Sequence, residues 1–238
     1  MPNSLIRICC SKWVALKRHW EYREARRFTK IHTPELIVAY AAFSNSMQSG
    51  SPRQPYKGRD LWRILEQVRP QNIVELGSGT TSAVFALWAE RYSASYAAFE
   101  HHPHWAKVTQ SALNKAGVLK KKAPIRVVNS RVREDQGATG FVEKLPLGSD
   151  FIYVDGPPCK LDSGRKVPND DVVRFFDAGG KPKAIVIDGR LETVDLIASH
   201  PTAKDYRIQR SFVYCLRRGL WKEAMSGREH TLFLRKAL

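Results

Sequence analysis

The two acidic residues with the clearest chemical signal stand at the ends of the first two predicted strands. Glu75 precedes the turn Gly77-Ser78-Gly79, and Glu100 closes the next strand. Glycines allow a sharp turn and a close approach to a ligand, and the helix that follows offers unpaired N–H groups. An acid about twenty residues after such a turn can bind both hydroxyls of a ribose. The pattern predicts a nucleoside-binding crevice, although Ser82 in place of a third glycine disfavours a nicotinamide dinucleotide.

Two further acids follow later strands. Asp155 begins the run Asp155-Gly156-Pro157-Pro158, and Asp188 begins Asp188-Gly189-Arg190. The carboxyl ends of neighbouring parallel strands meet at one edge of a sheet, so we expect these carboxylates to lie close together. Carboxylates serve as general bases and as ligands of Mg²⁺ or Mn²⁺. We predict Asp155 as the general base and Asp188 as a group that positions the substrate. A helix-capping role is the alternative for Asp188.

An alternation of strands and helices positions these acids. The five predicted strand–helix units have strands over Asn72–Leu76, Tyr96–Glu100, Ile125–Asn129, Phe151–Asp155 and Ala184–Asp188. Parallel strands need crossover connections, so this alternation predicts a parallel sheet with covered faces. Two last strands, Tyr206–Cys215 and His230–Arg235, are predicted to form an antiparallel hairpin joined by only a loop.

The first part of the chain has a different character. Residues 4–30 predict a basic amphipathic helix, with an apolar stripe of Leu5, Cys9, Trp13, Leu16 and Trp20. A second helix is predicted from Thr33-Pro34-Glu35 to Ser44-Asn45, followed by a linker over residues 48–58 and a short helix from Asp60 to Val68. We therefore divide the chain into a basic helical extension with its linker, residues 1–57, and a main domain, residues 58–238.

Composition and charge exclude some classes of protein and favour others. A chain of 238 residues with 43% hydrophobic residues is long and apolar enough to form a core, which excludes intrinsic disorder. The four cysteines form no CxxC pair, which disfavours a disulfide scaffold and favours a cytoplasmic protein. The formal net charge of +16 favours anionic partners: nucleic acid, anionic lipid or an acidic small molecule. Residues 4–30 are the segment suited to peripheral membrane contact.

Four segments, together with the terminal strand pair, resemble the class I S-adenosylmethionine-dependent methyltransferases, and the third and fourth segments also resemble the catechol O-methyltransferase-like branch. The four segments are NIVELGSGTTS (72–82), FEHHP (99–103), DFIYVDGPP (150–158) and AIVIDG (184–189). The resemblance covers about residues 58–238. It implies an α/β, Rossmann-like, mostly parallel seven-stranded sheet in the order 3-2-1-4-5-7-6, with an antiparallel last strand and helices on both faces.

The resemblance also implies a cofactor site for S-adenosyl-L-methionine. The methionine part would lie against the turn, with Glu75 near its ammonium group; the turn residues are Gly77, Ser78, Gly79, Thr80 and Thr81. Glu100, with His101 beside it, would hold the ribose, and Asn129 or Ser130 would lie by the adenine. Asp155 would border the cofactor, and in the catechol O-methyltransferase-like branch acids at the places of Asp155 and Asp188 bind Mg²⁺.

The predicted function is O-methylation of a small-molecule or sugar-like acceptor, which the basic charge allows to be anionic. An RNA or DNA methyltransferase is the first alternative, favoured by the charge but disfavoured because Cys159 stands where base-methylating enzymes have a stacking aromatic after Pro-Pro. A non-catalytic, methyltransferase-like binding module anchored by the basic helix is the second. The oligomeric state stays open.

Overall fold

A computed structural model describes residues 19–46, 55–117, 125–129, 132–135, 137–161, 164–220 and 228–236. The strands are β1 (Asn72–Leu76), β2 (Ser95–Glu100), β3 (Ile125–Asn129), β4 (Val132–Asp135), β5 (Ala138–Phe141), β6 (Phe151–Val154), β7 (Ala184–Ile187), β8 (Tyr206–Gln209) and β9 (Thr231–Arg235). The helices are α1 (19–32), α2 (Glu35–Ser46), α3 (Pro55–Val68), α4 (Ser82–Tyr92), α5 (Pro103–Lys115), α6 (Asp171–Asp177), α7 (Leu191–Ser199) and α8 (Phe212–Arg217), with a 3₁₀ turn over Pro201–Asp205.

Seven of these strands form one sheet in the order β3-β2-β1-β6-β7-β9-β8. Counted along the chain without the separate β4–β5 hairpin, this is the predicted order 3-2-1-4-5-7-6. The pairs from β3 to β7 are parallel, and β9 runs antiparallel to both of its neighbours. The predicted α/β, mostly parallel sheet is confirmed.

Helices cover both faces of the sheet, as predicted, and they enclose two cores. One core unites α2, α3, α4 and α5 with one face, through residues such as Phe43, Trp62 and Phe85. The other unites α6, α7 and α8 with the opposite face, through residues such as Phe175 and Ile197. All four residues of β6 and of β7 are buried, which explains why these strands are continuous apolar runs.

The structure corrects the end of the chain. The predicted strand Tyr206–Cys215 is wrong in its second half, because the strand ends at Gln209 and α8 follows. The Ser211 side chain caps this helix by accepting a hydrogen bond from Tyr214 N at 3.1 Å. Phe212 and Cys215 both face the same core. Residues three apart share a face in a helix but not in the strand that was predicted. The two last strands therefore pair antiparallel with a helix between them, and the β4–β5 hairpin was not predicted.

The described part of the extension packs against the main domain, with Phe43 of α2 in the same core as α4 and α5. In α1 the buried residues are Ala25 and Thr29, whereas Trp20 is 64% exposed, so that member of the predicted stripe does not pack inward. The other stripe residues lie outside the described residues. The third helix begins at Pro55, earlier than the predicted Asp60, and it spans the proposed boundary at residues 57 and 58. Over the described residues, each helix is too short or too polar to cross a bilayer.

Candidate functional site

Two turns, one after β1 and one after β6, are in close contact at the carboxyl ends of the parallel strands. We use the word crevice for the region bordered by these turns and by the ends of β2 and β7. Gly77 has φ +86°, and a Cβ placed there would lie 2.8 Å from both Asp155 C and Gly156 N. A Cβ on Gly156 would lie 2.5 Å from Gly77 Cα. Both positions therefore require glycine, since the two backbones touch. The role of Gly156 was missed, because its contact is made with a residue distant in sequence.

The second glycine of the turn faces a different environment. A Cβ on Gly79 would have no heavy atom within 4 Å, so this residue borders open space. Its N–H donates to Ser82 Oγ at 3.0 Å, at the start of α4. Thr80 beside it is exposed. The turn thus combines a packed glycine with an open one just before the N-terminus of α4.

Glu100 lies directly against this turn. Its buried carboxylate accepts hydrogen bonds from Ser78 N at 2.8 Å, Ser78 Oγ at 3.1 Å and His102 N at 2.9 Å. His101 Nδ1 lies 3.0 Å from the same carboxylate. The glycine turn and the acid of the second strand therefore lie in direct contact at one edge of the sheet. The contribution of the His102 backbone was missed.

Glu75 lies beneath the turn, with no exposed surface. Thr81 Oγ1 donates to it at 2.8 Å, Ser82 Oγ donates at 2.7 Å, and the Tyr96 hydroxyl also donates. Burial raises the pKa of this carboxyl to about 8, against the opposing effect of the three hydroxyl donors. Glu75 is therefore largely protonated at neutral pH, and its partners are internal.

The third strand brings one more predicted residue to this side of the crevice. Asn129 stands opposite Glu100 in the parallel register of β2 and β3. Its side chain and all of Ser130 lie outside the described residues, so the structure fixes only the backbone position of Asn129.

Asp155 stands at the mouth of the crevice, with 49% of its side chain exposed. Arg190 Nη2 lies 3.6 Å from its Oδ1, and the same guanidinium donates to the carbonyl oxygens of Asp155 and Pro157. Partial burial and then the Asp188 carboxylate raise the pKa of Asp155 to about 6, although Arg190 and Lys57 act against this rise. A carboxylate with this pKa is ionised at neutral pH and can accept a proton.

Asp188 is next to Asp155, because Val154 and Ile187 are paired in the sheet. Lys57 Nζ on α3 donates to Asp188 Oδ2 at 2.5 Å, and the Tyr153 hydroxyl donates to the same oxygen at 3.3 Å. Burial alone would raise the pKa of Asp188, but the charges of His230 and Lys57 outweigh it and lower that pKa. These partners, and not the start of α7, hold the Asp188 side chain.

A buried acid–base pair beside Asp188 was missed by the sequence reading. His230 is fully buried, and its Nδ1 lies 2.9 Å from Asp60 Oδ2 on α3. Arg228 Nη2 lies 3.0 Å from the other Asp60 oxygen. The pairing of Ile187 with Thr231 brings His230 alongside Asp188. The only sequence signal was the spacing of Lys57 and Asp60, which places both on one helix face.

The predicted metal site does not fit this donor set. One oxygen of Asp188 is bonded to an ammonium group, and Asp155 faces the Arg190 guanidinium. Within the described ranges, no group of three or more His, Cys, Asp or Glu side chains is placed to hold a metal ion. A divalent ion would have to compete with two cations for two carboxylates, so we assign no ligand role to Asp155 or Asp188.

Comparison with known proteins identifies the fold. No protein-family model matches the chain, and no curated protein matches its sequence. A Klebsiella pneumoniae protein with a provisional O-methyltransferase assignment matches at TM-score 0.54 and 14% identity, over 93% of this chain and 100% of that one. A cofactor-bound protein from MTB matches at TM-score 0.52 and 14% identity, over 90% and 96%. A Bacillus cereus O-methyltransferase in complex with SAH matches at TM-score 0.52 and 13% identity, over 90% and 97%. The chain therefore has the fold of these proteins.

Proposed function

We propose that this chain is a class I S-adenosylmethionine-dependent methyltransferase that methylates an oxygen of a small-molecule or sugar-like acceptor. The observation that carries the proposal is the 2.8 Å hydrogen bond from Ser78 N to Glu100, which unites the glycine turn and the second-strand acid in one crevice. Asp155 stands at the mouth of the same crevice, because its backbone contacts Gly77. The shared fold with a SAH-bound O-methyltransferase supports the assignment.

The residues of the turn suit the cofactor. The backbone of Gly77, Ser78, Gly79, Thr80 and Thr81 would hold its methionine part in the open space beside Gly79. Glu100 would accept hydrogen bonds from the ribose, with Ser78 Oγ and His101 giving way to it, and Asn129 would lie towards the adenine. Glu75 would support the turn from below. When bound, the cofactor supplies an electrophilic methyl group.

The strand-end acids would act on the acceptor. Asp155 is partly exposed and has a pKa of about 6, so its carboxylate would accept the proton of the acceptor hydroxyl at neutral pH. Asp188, held by Lys57 and Tyr153, would keep its charge fixed beside that group. Hydroxyl acceptors need proton removal more than amines do, which is why two acids here favour O-methylation.

Isothermal calorimetry with S-adenosylhomocysteine tests the cofactor site. Charge-assisted hydrogen bonds contribute roughly 1.5–3 kcal/mol, and about 1.4 kcal/mol corresponds to a tenfold change in affinity. We therefore expect Glu100→Ala to weaken binding by roughly tenfold to a few hundredfold. Glu134→Gln, at an exposed acid of β4, is the matched control and should bind as wild type does. Absence of binding to the wild type would remove the enzyme proposal.

A nucleic-acid acceptor is the second candidate, favoured by the net charge of +16. Binding through phosphate contacts weakens steeply as salt concentration rises. Titration of a single-stranded RNA against the full chain at several salt concentrations separates the two candidates, since a small-molecule enzyme should show no tight, salt-dependent binding.

A further inference from the structure

We propose that the ammonium group of Lys57, held on Asp188, is the cation that faces the acceptor oxygen in this crevice, in the place where a divalent metal ion would act. The proposal rests on the proposed function for its acceptor. One part of it does not depend on that function: the claim that an ammonium group occupies the position of a metal ion. This geometric part is argued from the contacts of α3 with the strand ends.

Lys57 is placed to act at the mouth of the crevice. Its side chain is 25% exposed and that of Asp188 is 13% exposed, and their 2.5 Å contact holds Nζ at the carboxyl ends of β6 and β7. An ammonium group has more N–H donors than this single bond uses. Within the described residues, Nζ forms its hydrogen bond with Asp188 alone. Lys57 can therefore donate to a ligand oxygen while it remains paired.

The helix that carries Lys57 is fixed at a second point. Asp60, on the same face of α3, contacts Arg228 and the buried His230, which precede β9. Two acid–base contacts thus attach α3 to neighbouring strand ends. A positive charge fixed in advance stabilises developing negative charge without reorganisation, which is the condition for effective electrostatic stabilisation.

The other charges at this edge suit an organic cation and oppose a metal. Lys57 and Arg190 already neutralise Asp188 and Asp155, at 2.5 Å and 3.6 Å. A divalent ion placed between the two acids would be repelled by both cations. The crevice therefore binds an ionised oxygen without metal chelation.

This arrangement defines the acceptor class. A metal ion in such a site is chelated by paired oxygens, whereas a single ammonium group needs one hydrogen-bond acceptor. The acceptor therefore requires only one ionisable hydroxyl, of a phenol or a similarly acidic group, and not two adjacent hydroxyls.

Mn²⁺ is the probe for the geometric part, because its paramagnetic resonance signal reports the free ion. The full chain is titrated as wild type, as Lys57→Glu and as the control Lys107→Glu, which changes an exposed lysine of α5. We expect no stoichiometric binding of Mn²⁺ to wild type or to the control at millimolar concentration. Lys57→Glu should gain a single site, because a third carboxylate then joins Asp155 and Asp188 where Nζ stood.

Two results would overturn the proposal. One is stoichiometric Mn²⁺ binding by the wild type that Asp188→Asn abolishes, since the metal position would then be available beside Lys57. The other is a folded Lys57→Glu protein that binds no Mn²⁺, since Nζ would then not mark a cation position. Circular dichroism checks folding, and Lys57→Gln, which supplies a neutral oxygen ligand, replaces Lys57→Glu if that variant does not fold.

A parallel titration with S-adenosylhomocysteine keeps the two proposals separate. Lys57→Gln should bind it with wild-type affinity, because Lys57 contacts none of the residues of the glycine turn. Failure of the wild type to bind it would end the methyltransferase proposal and the acceptor role of Lys57, while the Mn²⁺ titration would still decide which cation occupies the position.

Discussion

The two halves of the crevice neutralise their acids in different ways. On the β1–β2 side, Glu75 and Glu100 accept hydrogen bonds chiefly from hydroxyl and backbone N–H groups, with His101 at the edge. On the β6–β7–β9 side, Asp188 and Asp60 are held by the basic side chains of Lys57, Arg228 and His230. The same chemical group, a carboxylate near the strand ends, thus has two kinds of environment.

This difference separates two tasks. Neutral donors leave the charge of Glu100 available to a ligand and let burial raise the pKa of Glu75 to about 8. Basic partners lower the pKa values of Asp60 and Asp188 although burial opposes this, so these acids stay ionised. The first half therefore suits the neutral hydroxyls of a ribose, and the second suits an acceptor oxygen that acquires negative charge.

Removing an acid from the paired half should have the largest effect. Asp60→Ala leaves the buried His230 and Arg228 without their shared partner, and breaking a buried pair in this way costs about 3–5 kcal/mol. Urea unfolding measures the free energy of unfolding. Asp205→Asn, which removes an exposed pair with Lys181 at 3.7 Å, is the control and should cost less than about 1 kcal/mol. Equal losses in both variants would contradict the comparison.

Substitutions at the two glycines of the turn should affect different properties: the first should lower stability, and the second should weaken cofactor binding. Gly77→Ala combines a positive φ with a Cβ 2.8 Å from the backbone at Asp155, so we expect a loss of at least about 2 kcal/mol in stability. Gly79→Ala meets no atom within 4 Å and should change stability by less than about 1 kcal/mol, while it weakens S-adenosylhomocysteine binding. Thermal melts and calorimetry on both variants provide the test, and a stable Gly77→Ala protein would refute it.

The two halves should respond to pH in opposite senses. The folded-state pKa of Glu75 rises from 4.5 to about 8, so its contribution is complete below pH 4.5 and is lost as pH rises to about 8. Asp60 and Asp188 have lowered pKa values, so their contribution is present above about pH 3.8 and is lost in more acidic solution.

Glu75→Gln isolates this effect. It should remove about 3–4 kcal/mol of the decline in unfolding free energy between pH 5 and pH 8, because the amide does not ionise. Denaturant unfolding across this range, with Glu134→Gln as the control, provides the measurement. An unchanged pH slope in Glu75→Gln would show that Glu75 does not titrate in this window.

The smallest expected effect is at the Tyr153 hydroxyl, which is a secondary contact of Asp188. Tyr153→Phe removes the 3.3 Å hydrogen bond to Asp188 while Lys57 remains, so we expect a loss of about 1 kcal/mol. Tyr96→Phe is the counterpart at Glu75, where the hydroxyl is one of three neutral donors. Urea unfolding of both variants compares the halves, and a Tyr153→Phe loss as large as that of Asp60→Ala would contradict the dominance of Lys57.

Much of the fold could be predicted because its signals are local. The alternation of apolar runs and helical periods predicted the five parallel strands, and the strands Asn72–Leu76 and Ile125–Asn129 have the predicted bounds. The unit that begins at Ile125–Asn129 is the exception, because the β4–β5 hairpin follows this strand in the described residues where a helix was expected. The strand prediction was wrong at Phe212–Arg217 because a helix begins there. Its start is marked by a cap that only the structure shows, since Ser211 Oγ accepts a hydrogen bond from Tyr214 N.

The site divides in the same way. The sequence by itself determined that a glycine turn and four acids meet at the ends of neighbouring strands, because parallel strands direct their carboxyl ends to one edge. Only the tertiary structure decided how each acid is neutralised. Lys57 and Asp60 lie more than a hundred residues from Asp188 and His230, and no local pattern encodes contacts between α3 and strands so distant in the chain.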